Sequence, residues 1–244
     1  THVWAWDARP YPAFPHLSSV WGDAPNWNAG HWINGRIEGA PLDRLIAQIC
    51  ADYGLPPPEA IRVDGFVDGY VIDRPMSARA AIEPLAGLFG VDLAQTAAGL
   101  RMSGRGQGAA LALGRDDLIP DREGREAVRT RAQETELPRR IALGFADAEA
   151  QYKRAAVSSR RLDTTSRIEQ ASETSAVLTR AEAARLAEQM LQDVWIGRET
   201  AEFALRPGLI ALECGDLVTL PSDAATYMLT RVVDGALRQC VARR

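Results

Sequence analysis

Trp4, Trp6 and Asp7 crowd one short run near the start of the chain, and Trp32 follows in the same segment. Indole faces stack on pyranose rings and a carboxylate binds hydroxyls, so these four are candidate glycan-contacting residues. If the VWAW stretch ended a (β/α)8 barrel, Asp7 would sit just past the strand's C-terminal tip, where barrel sites lie. The competing reading is packing, because Trp and Tyr bury large areas and pin a long loop to its neighbour. Glycoside hydrolysis needs two carboxyls about 5–10 Å apart. The segment offers Asp7 and Asp23, and no spacing pairs them.

Other reactive residue types are scattered. His2, His16 and His31 match no metal-ligand spacing, and no metal or cofactor site is expected. Gly104-Arg105-Gly106-Gln107-Gly108 has glycines like a phosphate loop, but Ala-Ala follows where Lys-Ser/Thr is needed, so it reads as a linker. No G-x-S-x-G elbow occurs, and no histidine follows residue 31 to activate a Ser or Cys. Arg139, Arg140, Lys153, Arg154, Arg160 and Arg161, with Arg167, make the middle of the chain basic and are candidate interface or DNA-path residues. Asp147, Glu149 and Asp163 are interleaved with them and favour intersubunit salt bridges or ordinary surface. No catalytic constellation emerges. A binding or assembly module is expected rather than an enzyme.

The elements that would carry these residues are legible in part. Leu42, Leu45, Ile46, Ile49, Cys50 and Tyr53 form one helical stripe, with Pro41 in the first turn and Gly54 at the end. Ile61–Val67 and Tyr70–Ile72 read as short strands. Ser77 caps a helix over 78–89 that Pro84 should kink or split. Val91–Gln95 and Leu100–Ser103 read as a hairpin. After linker-like stretches at 104–108 and 114–125, strands are expected at Ala127–Gln133, Arg139–Phe145 and Arg167–Val177. Thr179 and Glu182 form a capping box for a helix whose apolar face is Ala183, Leu186, Ala187, Met190, Leu191, Val194 and Trp195, closed by Gly197. Glu199–Leu205, Ile210–Leu212, Leu217–Leu220 and Tyr227–Val233 read as strands. Many short strands around one helix suggest a small barrel.

The bulk composition fits this. The 244 residues are 46% apolar and 25% charged, a globular balance, and the formal charge of −4 gives no electrostatic case for nucleic acid. Cys50, Cys214 and Cys240 are far apart in sequence and suggest neither a zinc site nor a disulfide framework. No apolar run approaches 18 residues. Five of six tryptophans and all three histidines precede residue 33, and both ends read as cuts within a longer polypeptide.

Three stretches carry a resemblance: VWAWDARPYPAFP (3–15) with NWNAGHWINGR (26–36); GYVIDRPMSARAAIEPLAGLFG (69–90); and LGFADAEAQYKRAAVSSRR (143–161) with DVWIGRETAEFALRP (193–207). Together they resemble the large tail-tip, or baseplate hub, proteins of gene transfer agents and related siphophage-like particles of alphaproteobacteria. The resemblance implies an α+β chain in four parts. Residues 1–36 would be the last strand and exit loop of an upstream TIM-like barrel plus a Trp-rich connector. Residues 37–105 would be a small α/β hub insertion, 106–125 a linker, and 126–244 a tail-tube-like β-barrel with one packed helix. It implies a homotrimer in the tail tip, assembled in the bacterial cytoplasm and contacting distal tail, tail-tube and other baseplate proteins. DNA would pass through the lumen, and host-surface glycan contact would come through the full-length protein. Any glycosidase activity would lie in the upstream barrel. The alternative from another class is a carbohydrate-binding or glycoside-hydrolase-associated module recognising cell-surface glycan.

Overall fold

A computed structural model of the chain describes residues 13–17, 19–20, 39–61, 63–96, 99–221 and 223–244. The expectations for Trp4, Trp6, Asp7, Trp32, His2, His31 and the VWAW strand lie outside the described residues. The chain divides into two compact units, residues 1–39 and 40–244. In the first, the described structure is one helical turn, α1 (Ala13–His16).

In the second unit, helix α2 (Leu42–Asp52) buries Leu42, Ile46, Ile49 and Cys50 of the expected stripe, while Leu45 is half-buried and Tyr53, just past the helix end, is exposed. Its end is closed by the amides of Tyr53, Gly54 and Leu55 on the last-turn carbonyls. Gly54, at φ +69°, supplies the left-handed residue this needs. Helix α3 (Ala78–Phe89) starts at Ser77, whose hydroxyl accepts from the Ala80 amide at 3.2 Å, and ends at left-handed Gly90. Pro84 does not split α3, which runs continuously from Ala78 to Phe89. Ala80, whose carbonyl loses its partner, is exposed, so water can satisfy it. The opposite face (Ala81, Ile82, Leu85) is buried and holds the helix down.

The hairpin β5 (Val91–Thr96)/β6 (Gly99–Gly104) is antiparallel as expected, and β2 (Glu59–Ile61) adds to β6 in parallel. A four-stranded sheet follows in the order β11-β10-β12-β4. Its strands are β10 (Pro138–Asp147), β11 (Arg154–Arg160), β12 (Ile168–Leu178) and β4 (Gly69–Tyr70). Helix α4 (Arg180–Ile196) covers one face. Leu143 and Phe145 of that face share one apolar cluster with Leu186 and Ala187 of α4 and with the buried faces of α2 and α3. The Thr179 hydroxyl caps the Glu182 amide at 3.2 Å. The reciprocal half of the capping box is replaced by an ion pair, because Arg185 holds the Glu182 carboxylate at 2.6 Å.

The remaining strands form a curled, half-barrel sheet in the order β7-β14-β15-β16-β13-β8. These are β7 (Leu111–Ala112), β8 (Leu118–Ile119), β13 (Glu199–Leu205), β14 (Leu217–Thr219), β15 (Thr226–Asp234) and β16 (Arg238–Arg243). Strand β9 (Ala127–Arg131) also pairs with β13. Ala201, Phe203 and Leu205 point into its core with Tyr227, Leu229, Cys240 and Ala242. Residues 210–212 are not the strand expected. Pro207 opens a short 3-10 turn that carries the chain around the sheet's end.

Candidate functional site

The face of the four-stranded sheet turned away from α4 is the feature that the rest of the unit does not use. Strand alternation fixes what it shows. On β10, Ile141, Leu143, Phe145 and Asp147 are buried toward α4, which leaves Arg140, Ala142, Gly144 and Ala146 on the other side. Register then builds rows across the sheet: Arg160, Arg140 and Glu169; Ser158, Ala142 and Ala171; Ala156, Gly144 and Glu173. The middle of this face is a floor of small residues. Its ends are charged. The Arg140 guanidinium lies 3.3 Å from the Glu169 carboxylate. Arg154, opposite Ala146, reaches across that small residue to donate to the Thr174 carbonyl at 3.0 Å, where β12 is irregular.

Both long edges of this sheet are open among the described residues. β11 pairs only with β10. β12 pairs with β4 only at Ala176 and Val177, and Val71 bonds the Ser175 carbonyl, so residues 168–174 have no partner on the outer side. The β11 edge carries Arg154 and Arg160, and the β12 edge carries Glu169 and Glu173.

The basic residues singled out in the sequence therefore separate. Arg140 and Arg160 meet at one end as directly opposed like charges, and Arg160 makes no ion pair among the described residues. Arg139 is half-buried beside them, and its carbonyl accepts from the Arg161 amide. Lys153 and Arg154 lie at the other end, about 20 Å away along the strand. Arg161 turns to the opposite side. Its guanidinium sits 4.2 Å from the centre of the Trp195 ring, with Arg198 at 5.1 Å, and the indole N–H donates to the Pro138 carbonyl at 2.9 Å. The turn between β10 and β11 is tightly made. Gln151 and Tyr152 are both left-handed, Tyr152 is exposed, and the buried Asp147 carboxylate accepts from the Glu149 amide at 3.0 Å. Arg180 Nε lies 2.8 Å from the other carboxylate oxygen as an ion pair, off the line of a hydrogen bond.

Glu169 and Glu173 were missed as site residues in the sequence. Their i, i+4 spacing within a strand, opposite the arginines of 154–160, was the available signal. β11 was missed as a strand because Ala155, Ala156, Ser158 and Ser159 are weak strand formers.

Elsewhere several ionisable groups are tied up structurally. Arg105 bridges Asp92 (3.2 Å) and Asp193 (2.9 Å), and Arg238 pairs with Asp234 at 3.0 Å. Burial pushes the Cys240 thiol up, and likewise Cys50. Hydrogen bonds from the Ala225 amide and the Tyr227 hydroxyl hold the Asp223 carboxyl below its usual range. Among the described residues no group of three or more His, Cys, Asp or Glu is placed to hold a metal ion, and no helix is long and apolar enough to cross a membrane.

The family model described as "Putative phage tail protein" matches residues 77–232, well over half of the chain. The chain belongs to this phage tail protein family. A chain of the virion of a native gene transfer agent particle shares 32% identity and superposes with a TM-score of 0.76, over 92% of this tail protein and 52% of that chain. This tail protein thus spans about half the length of that relative. A tail protein from Neisseria meningitidis MC58 has the same fold at 11% identity (TM-score 0.58), over 85% of this chain and 68% of the other. So does the 43 kDa tail protein of prophage MuSo2 from Shewanella oneidensis at 17% identity (TM-score 0.51), over 85% and 66%. No curated protein sequence matches the chain.

Proposed function

We propose that this phage tail protein is a non-enzymatic segment of a tail-tip hub, in which three copies join edge to edge into a ring around the DNA exit path. The observation that carries this reading is the four-stranded sheet with one face covered and both long edges open. Long exposed edges invite further strands and are normally blocked. Here one edge is basic and the other acidic, which suits a head-to-tail, closed cyclic contact. Because β10 runs antiparallel to β11 and parallel to β12, the β12 of a neighbour would run antiparallel to β11. Placing Arg160 opposite Glu169 of a neighbouring copy puts Ser158 opposite Ala171. It also leaves Arg154 diagonal to Glu173, within reach of a long side chain.

The same reading puts the thin face of the sheet on the channel. The α4 side carries α2, α3 and the rest of the core, whereas the other side is the floor of Ala142, Gly144, Ala156, Ser158 and Ala171. The thin face is therefore the one proposed to turn inward. β4 borders the same edge of β12 that the neighbour's β11 would take, so each copy adds three strands to the circumference; at ~4.8 Å per strand three copies would close at a backbone diameter of about 14 Å, and a second sheet of equal width from each copy would double this to about 28 Å. The wider ring suits a DNA exit path and favours two tube-like sheets per copy, six around the ring. Distal tail, tail-tube and other baseplate proteins are the partners on either side of the ring, in a virion assembled in the bacterial cytoplasm, and residues 1–36 are read as the end of an upstream barrel.

The test is a charge exchange in the full-length protein, read by native mass spectrometry. Arg160→Glu should lower the trimer fraction, and adding Glu169→Arg should restore it. A trimer fraction indifferent to both changes would remove the edge contact from the account.

A further inference from the structure

A second free edge lies elsewhere in the molecule. β5 is the last strand of its three-stranded sheet, and among the described residues its outer side has no backbone partner. That side opens on a cleft of about 710 Å³ between β5 and β15. The lining shows how each strand is presented. β5 contributes the consecutive residues Asp92, Leu93, Ala94 and Gln95, and β6 contributes Arg101 and Ser103, which share a face with Ala94 and Asp92, so the cleft takes in the β5 edge together with the outward face of the hairpin. β15 lines it at Met228 and Leu229 and then at alternate residues, Thr230, Val232 and Asp234, so one face of its second half forms the floor. Four residues of β5 span about 13 Å, room for one short added strand.

The charges in the cleft are nearly balanced. Asp92 is held by Arg105 and Asp234 by Arg238. Arg101 is shared between Asp216 at 3.7 Å and Glu213 at 4.0 Å, and the Glu213 side chain is 55% exposed. Glu213 is thus a carboxylate without a guanidinium of its own. At the rim, Ile210 is 76% exposed.

We infer that this cleft takes an extended segment of another tail protein, which adds as a strand to β5 and lays alternate apolar side chains against Val232 and Ile210, with a Lys or Arg placed on Glu213. Main-chain bonds to the open edge supply the affinity, and the alternating side chains and the one cation supply the selectivity. The inference uses none of the contacts of the proposed ring.

Hydrogen–deuterium exchange of the full-length protein, free and incorporated in the assembled tail, tests it. The amides of 92–95 that point away from β6 should exchange roughly tenfold or more slowly in the tail than in the free protein. Glu213→Lys, an exposed turn substitution, should return them toward the free rate. Equal rates in tail and free protein, or slow exchange already in the free protein, would overturn the inference. Slow exchange that persists in E213K would overturn the cation on Glu213. The edges at 154–160 and 168–174, read in the same experiment, report on the ring separately.

Discussion

Trp195 joins three demands in one side chain: it fills the small cluster with Leu137, Ile141 and Leu191, it satisfies the Pro138 carbonyl, and it carries the guanidiniums of Arg161 and Arg198. Trp195→Ala should cost about 3–5 kcal/mol in denaturant unfolding. Trp195→Phe should keep the packing and lose about 1 kcal/mol with the hydrogen bond. Asp147 is smaller in effect. Its Arg180 partner is 60% exposed on the side chain, so the ion pair is discounted for solvent, and Asp147→Ala should cost about 1–2 kcal/mol, mostly from the lost charge-assisted hydrogen bond of the Glu149 amide. Asp223 adds a pH dependence. Its carboxyl is depressed in the folded state, so the stability it contributes is present above the ordinary carboxyl range and is lost as pH falls through the lower folded value. Acid titration of unfolding should lose this component in Asp223→Asn. An acid limb that is the same in both proteins would contradict the assignment.

Pro84 is a local cost that the helix around it carries. Pro84→Ala should restore a hydrogen bond to the Ala80 carbonyl and stabilise the protein by about 1–3 kcal/mol, seen as a higher Tm. An unchanged Tm would mean that the backbone there is already relaxed around the proline. The helices were the most readable parts of the chain, because the stripes of α2 and α4 and the caps at Ser77 and Thr179 are local signals. Pairing is not local. β12 lies beside β10 in parallel, and β4, a hundred residues earlier, joins the same sheet. Nothing in the spacing of Gly69-Tyr70 announces that. β11 and β16 were passed over, the first for its Ala and Ser content and the second for its two arginines, although Arg238 is buried by bonds to the Leu209 and Leu212 carbonyls. The charged face was half legible: the arginines stood out as a cluster, but their separation into two ends and one opposite side follows from strand alternation, which only a correct register reveals.

The unit of residues 40–244 presents sheet edges that are open among the described residues and a smooth, small-residue face, features that make sense when neighbouring chains complete them. That is the common thread between its membership of a phage tail protein family and its architecture. The central claim is that β11 of one copy lies against β12 of the next, and a disulfide tests it most directly. Within one chain Ser158 and Ala171 flank Ala142, which places their Cα atoms about 9.6 Å apart across two strand spacings, beyond the ~7 Å a disulfide can bridge. Between copies in the proposed register they are direct neighbours. In assembled tails of the Ser158→Cys, Ala171→Cys protein, mild oxidation should give covalent dimers and trimers on a non-reducing gel, absent from either single variant. Monomer alone, from tails that have assembled normally, would contradict the ring.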